Sequence, residues 1–483
     1  MHRSSLARRV RALTAAAGAA AAVTWGGTPA LAASGTWVPD AGSWAVPANW
    51  SSGTVPNGVG EVATFPAVPS ATRTVTVDSG SSGFTVGGVV FNNDVTTSAI
   101  NTAVNTGTSG SKLILNNGGA GVTITAAGTG LGNNTIAAPM TLSDAVLANV
   151  TATAASSAAG ALNLTSTMTG TGGFTKAGDG LATFGTGAKT YTGPTVINGG
   201  RMRISLAAQP SATSSFTINA GGQLTLISAS PYTFGGPLNL NGVGATSGPY
   251  AAFPGAIRND TGITAAISNP VVLQSNSVIH VQASSGTGAT ATPNGSLTLT
   301  GAISGPGGLQ FTATGSNVDQ GTLELSGASS YTGGTTVAGG ILRVSGAAAT
   351  LGVGSVTVIN PAAAPTPYAS IARLQIVSGV TNAIADTATL SLAGGGTPGV
   401  ADQGWADLGA GVNESVGGLV LGGVPQLVPG TYGSTASAAT FKSDEYFAGT
   451  GVVTLVPEPG TAGLAATVAA GLLFRRRARG RRA

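Results

Sequence analysis

Apolar and polar residues alternate with period two in short runs along this chain. Leu224-Thr225-Leu226 and Leu297-Thr298-Leu299 are the clearest cases. Such alternation predicts strands with one buried and one exposed face. Glycine and asparagine fill the intervals and permit the positive φ angles that corners need. One rung of this kind cannot bury its apolar face alone, so neighbouring rungs must stack. The expected fold is all-β, a right-handed parallel β-helix. Coils of about 20–25 residues would give about 17–21 turns over the body. A row of tandem β-sandwiches fits the same turn spacing and is the rival architecture.

Internal similarity sharpens the picture. The stretch Tyr191-Thr192-Gly193-Pro194-Thr195-Val196-Ile197-Asn198-Gly199-Gly200-Arg201-Met202-Arg203-Ile204-Ser205 has a counterpart 140 residues on. That counterpart is Tyr331-Thr332-Gly333-Gly334-Thr335-Thr336-Val337-Ala338-Gly339-Gly340-Ile341-Leu342-Arg343-Val344-Ser345. Each copy follows a Gly-Gly-apolar turn (Gly172-Gly173-Phe174 and Gly307-Gly308-Leu309) and a strand-like run, Leu181 to Phe184 or Thr322 to Leu325. Over 172–205 and 305–345 the chain resembles the autotransporter-associated β-strand repeat. The first copy carries that repeat's Thr175-Lys176-x-Gly178-x-Gly180 segment. The second departs from it between Phe311 and Gln320. Weaker echoes occur at Gly222 to Leu226, Pro237 to Leu240 and Gly295 to Leu299.

Composition agrees with coils. Glycine supplies 77 of 483 residues, while charged residues are 7% and aromatics 5%. The hydrophobic fraction of 42% is too high for ordinary disorder. Cysteine is absent, which excludes disulfides, thiolate metal sites and cysteine nucleophiles.

The ends read as addresses. Met1 to Arg11 is basic, Ala12 to Val23 is uncharged and Ala-rich, and Ala30-Leu31-Ala32 offers a cleavage site, so 1–32 is expected to be a signal peptide. At the other end Pro457-Glu458-Pro459 precedes an uncharged stretch, Thr461 to Phe474. Arg475, Arg476 and Arg477 then begin an arginine cluster. Fourteen residues are short against the ~17–25 usual for a bilayer span. Arginines beyond such a span stay in the cytoplasm. The order of triplet, apolar helix and arginines over 456–483 resembles the PEP-CTERM sorting signal. That resemblance implies a single transmembrane helix, recognition by an exosortase-type membrane protease, transient inner-membrane anchoring and then surface or extracellular release. Autotransporter passengers normally precede an outer-membrane barrel; here the sorting tail takes its place, so self-secretion through a barrel is not expected.

Ten arginines lie in these two ends. Between Arg11 and Arg475 the chain holds ten basic and sixteen acidic residues, a net charge of about −6. The basic pI therefore belongs to the termini and does not point to nucleic acid.

Candidate chemistry is sparse. The body has a single histidine, His280, on a strand-like run, which suits a structural position better than a triad. Asp144, Asp179, Asp260, Asp319 and Glu324 are scattered without paired spacing. Lys442, Asp444 and Glu445 read as a solvated turn. No metal motif, phosphate loop or cofactor signature is present. Trp37, Trp44 and Trp50 fall within fourteen residues. They suit a cap on the first open coil, or alternatively a glycan-stacking platform. Residues 33–400 read as the coil body, with a possible break at Pro361 to Pro367, and 401–455 as a terminal β unit. The expected function is a structural or adhesin-like protein of the cell surface or extracellular matrix, meeting polysaccharide or other surface proteins. The alternative is a secreted carbohydrate-active enzyme, or a carbohydrate-binding protein, on the same scaffold.

Overall fold

The computed structural model describes residues 34–66, 72–92, 102–128, 132–151, 161–251, 255–260, 262–283, 295–314, 321–361 and 371–456. The expected signal peptide, Asp319, the Pro457-Glu458-Pro459 triplet, the expected transmembrane stretch and the arginines Arg475, Arg476 and Arg477 lie outside these residues. Among the described residues no helix is long and apolar enough to cross a membrane.

The body is a parallel β-helix. Strands recur on three faces in chain order. One face is an 11-stranded sheet running from Gly35–Thr36 to Ile303–Ser304. A second is a 16-stranded sheet running from Ala41–Ser43 to Val424–Pro425. Its last strand folds back antiparallel on Gly418–Leu421, leaving fifteen parallel rungs among the described residues. At ~4.8 Å per rung these make a rod about 70 Å long. The third face holds a 4-stranded and an 8-stranded sheet, with bridges at Lys189 and Pro210 lying between them in the chain. Sandwiches would need antiparallel pairing throughout, so the rival architecture does not apply.

Alternation sets the packing. In Leu323 and Leu325, or Leu297 and Leu299, every second side chain points into one continuous core. Coil length is less regular than the repeats suggest. Val146 pairs with Phe174 and Phe174 with Thr195, so these coils take 28 and 21 residues. Leu238 pairs with Val271, a coil of 33. Among the described residues the coils are fewer and longer than the 17–21 expected, because loops leave the helix between strands while the ladder keeps its register. The ladder also runs past Pro361: Val356–Val358 pairs with Thr389–Leu392, and Gly340–Val344 with Ala372–Ile376. Beyond 400, Trp405–Leu408 and Gly418–Leu421 continue the coil faces. A small sheet of Asn413–Val416, Val452–Leu455 and Gly430–Gly433 finishes them.

The two repeat copies occupy different faces. In the first, Leu181–Phe184 and Gly200–Ile204 pair in the 16-stranded sheet. In the second, the equivalent Thr322–Leu325 and Gly340–Val344 pair in the 8-stranded sheet. The motif is therefore a unit of two successive coils, and its phase moves by one face between copies.

Candidate functional site

The recurring residues hold one coil upon the next. Gly193 and Gly333 lie directly over the Gly172-Gly173 and Gly307-Gly308 turns. A Cβ at either position would fall on the backbone of the turn below. The Tyr191 and Thr195 hydroxyls are 2.7 Å apart and buried, and Tyr331 pairs with Thr335 in the same way. Burial pushes both phenols up, so they stay protonated.

Lys176, from the Thr-Lys-x-Gly segment, turns inward. Its Nζ donates to the carbonyls of Gly178, Ala177 and Gly199, tying two stacked corners together. Gly200 closes the upper corner at φ 61°, and a Cβ there would meet the carbonyls of Gly178 and Gly180. Lys189 does similar work on the third face, donating to Ser166 O and Gly187 O. Burial lowers both ammonium groups to about 7, with Asp179 partly opposing the shift at Lys176. Since the folded value lies below the unfolded one, the charged form costs the fold. The contribution of these two lysines to stability is lowest below pH 7 and rises as pH climbs from 7 toward 10.5. The unfolding free energy from urea titration should therefore rise across that window, by up to ~1.4 kcal/mol per pH unit per lysine. Lys189→Met should flatten the rise; an unchanged slope would show that Lys189 keeps its charge when buried.

The three tryptophans sit at the first rung and face inward. Trp37, Trp44 and Trp50 are at most 2% exposed. Trp50 meets Trp37 edge-on at 5.0 Å between centroids and Trp44 at 4.8 Å. All three pack on Phe65, which stacks on Phe91 in the next rung. Trp44 Nε1 donates to Pro56 O and Trp50 Nε1 to Trp44 O. Stacking on a sugar needs a free ring face, and this packing offers none, so the glycan-contact expectation for these residues gives way to interior packing.

Carboxylates are engaged one by one. Asp144 accepts from the backbone of Asn117 and Gly119, Glu61 from Asn57, Asp402 from Thr397 and Asp444 from Thr435. Asp407 takes Gln375 Nε2, with Arg373 at 3.8 Å. Glu414 is buried and accepts from the backbone of both Ala383 and Ile384; burial raises it against the pull of those two bonds. It stands in for a ladder rung between two coils, a role its sequence context does not announce. No cluster of three or more potential metal ligands occurs among the described residues. A groove of about 400 Å³ crosses the outer face of the first sheet, with Val62, Thr64, Val90, Asn117, Thr123 and Thr125 in its lining. That lining contains no titratable group.

A concentration of arginine lies on the outer face of the 16-stranded sheet. Register aligns Arg203, Thr225, Arg258, His280 and Thr312 across successive rungs. Arg201 lies one pleat away, its Nε donating to Thr225 Oγ1 at 2.9 Å. Asp260 Oδ2 is 2.9 Å from Arg203 and 3.7 Å from Arg201. His280 Nδ1 is 2.9 Å from Thr312 Oγ1. Burial, then Arg258, depresses the imidazole to about 3, so it is neutral. The sequence shows the Arg-x-Arg pair. It does not show that Arg258 and His280 join it.

Against known families, residues 174–204 and 318–344 match the model of the passenger-associated transport repeat. These are passenger-type repeats. The match covers the two copies recognised by their Tyr-Thr-Gly and Gly-Gly segments. In the second copy it begins near the end of the departing Phe311 to Gln320 stretch. Repeats of this class point to an exported, surface-displayed chain. No curated protein and no solved structure matches the chain.

Proposed function

We propose that this chain is a structural passenger of the cell surface or extracellular matrix, delivered by an exosortase-type system that reads Pro457-Glu458-Pro459 and the arginines after it. The observation that carries the reading is the long repeat-bearing rod. Its corners and faces present hydroxyl and amide ladders. Asn241 donates to Asn219 and Asn219 to Asn198 across successive coils. Identical weak groups spaced one rung apart suit repeated contacts with an extended partner such as a polysaccharide or another rod. The buried anchors hold coils together, which is the chemistry of a scaffold.

A tagged chain should become accessible to protease added to whole cells, and removal of 456–483 should abolish that accessibility. Continued surface delivery of the truncated form would remove the sorting role from the tail. Protection of the full chain in intact cells would refute surface display itself.

A further inference from the structure

The arginine cluster has an internal control. In the second repeat, Arg343 is the counterpart of Arg203, and register places it between Glu324 and Gln375, with Asp407 one rung further. Arg373, on the same face, lies over Trp405 and beside Asp407. Two guanidinium groups there stand with two carboxylates. On the first repeat's face, Arg201, Arg203 and Arg258 share Asp260. Asp179 lies at the edge, where it accepts from Ser247 Oγ. Burial and the repulsion of Arg201 and Arg203 bring Arg258 down to about 10 despite Asp260.

This excess is sheltered. Residues 241–251 leave the coil after Leu238–Leu240 and before Ile257–Asn259, where the coils below turn the corner in two or three residues. The described part of this excursion folds back over the sheet. Tyr250 packs with Ala161, Leu181 and Ala245 outside the main core, its ring 5.6 Å from the Arg201 guanidinium. Arg203 remains about a third exposed at the edge and Asp260 about a quarter. Below them Arg201 Nη2 and Arg203 Nε have no hydrogen-bond partner among the described residues, and neither has His280 Nε2, on a side chain with no exposed surface.

We propose that this notch binds an oxyanion, the carboxylate of a uronate residue in an acidic polysaccharide or a phosphate group. Guanidinium forks match both planar carboxylate and phosphate oxygens, and partial burial strengthens the attraction. The notch sits on one rung set of a rod, so a polymer lying along the helix would reach it while touching the ladders above and below. The proposal is independent of how the chain is exported.

The test is calorimetric titration of the full chain with a uronate trisaccharide, inorganic phosphate and a neutral trisaccharide at low and high salt. The wild type should bind an anion, weaken with salt and ignore the neutral sugar. Arg203→Gln should weaken binding at least tenfold. Asp260→Asn, which removes the competing carboxylate, should tighten it several-fold, and Arg343→Gln should leave it unchanged. Uronate binding assigns the polymer as source; phosphate binding alone assigns a small free anion. Failure of both anions to bind at low salt would overturn the site. So would equal weakening by Arg343→Gln, or weakening by Asp260→Asn, since general charge or lost folding would then explain the effect.

Discussion

Replacing Gly193 by valine is expected to break the rod at the first repeat. The added carbons would fall on the Gly172-Gly173 backbone of the coil below, where no flexible side chain can yield. The two coils must then separate, losing the Phe174–Ala177 to Thr195–Ile197 pairing and exposing the core on either side. The loss should exceed ~4 kcal/mol, in the range reserved for backbone collisions and severe core damage. Each coil contacts only its neighbours, so the damage should divide one cooperative transition into two. Denaturation followed by hydrogen exchange over 172–200 would reveal the split. Exposed Thr192, next in the chain, supplies the control: Thr192→Ala should change stability by less than ~0.5 kcal/mol. A single unshifted transition for Gly193→Val would mean that the coils are not in the contact described.

Trp44→Ala should have the next largest effect, about 3–5 kcal/mol. The ring has no exposed surface, touches Trp50, Phe65 and Phe84, and donates to Pro56 O. Removing it opens the apolar core at the end of the ladder, where among the described residues only one side has a neighbouring coil. Unfolding should then start from that end, and amides of 62–65 should exchange before those of 146–150. A cost below ~1 kcal/mol, with exchange order unchanged, would show that the tryptophans do not close the end.

Period-two runs and glycine corners made the parallel coil legible, because alternation and turn chemistry are local. The Tyr-Thr-Gly-x-Thr and Gly-Gly segments made the repeats legible for the same reason. Two things escaped. Lys176 looks like a surface charge, yet it is buried, since its Nζ donates hydrogen bonds to three carbonyls at stacked corners. The arginine cluster depends on which rungs lie side by side, and loop excursions decide that. Arg203 reaches Arg258 through two coils of 22 and 33 residues. No local rule fixes the second of these lengths.

The change of phase between the repeat copies also sets bearings. Arg203 and Arg343 hold the same place in the motif but look out from different sides of the column. A fibre running down one flank meets the first and misses the second. Duplicating such a unit thus lengthens the column and at the same time turns equivalent positions of the motif to a new compass direction.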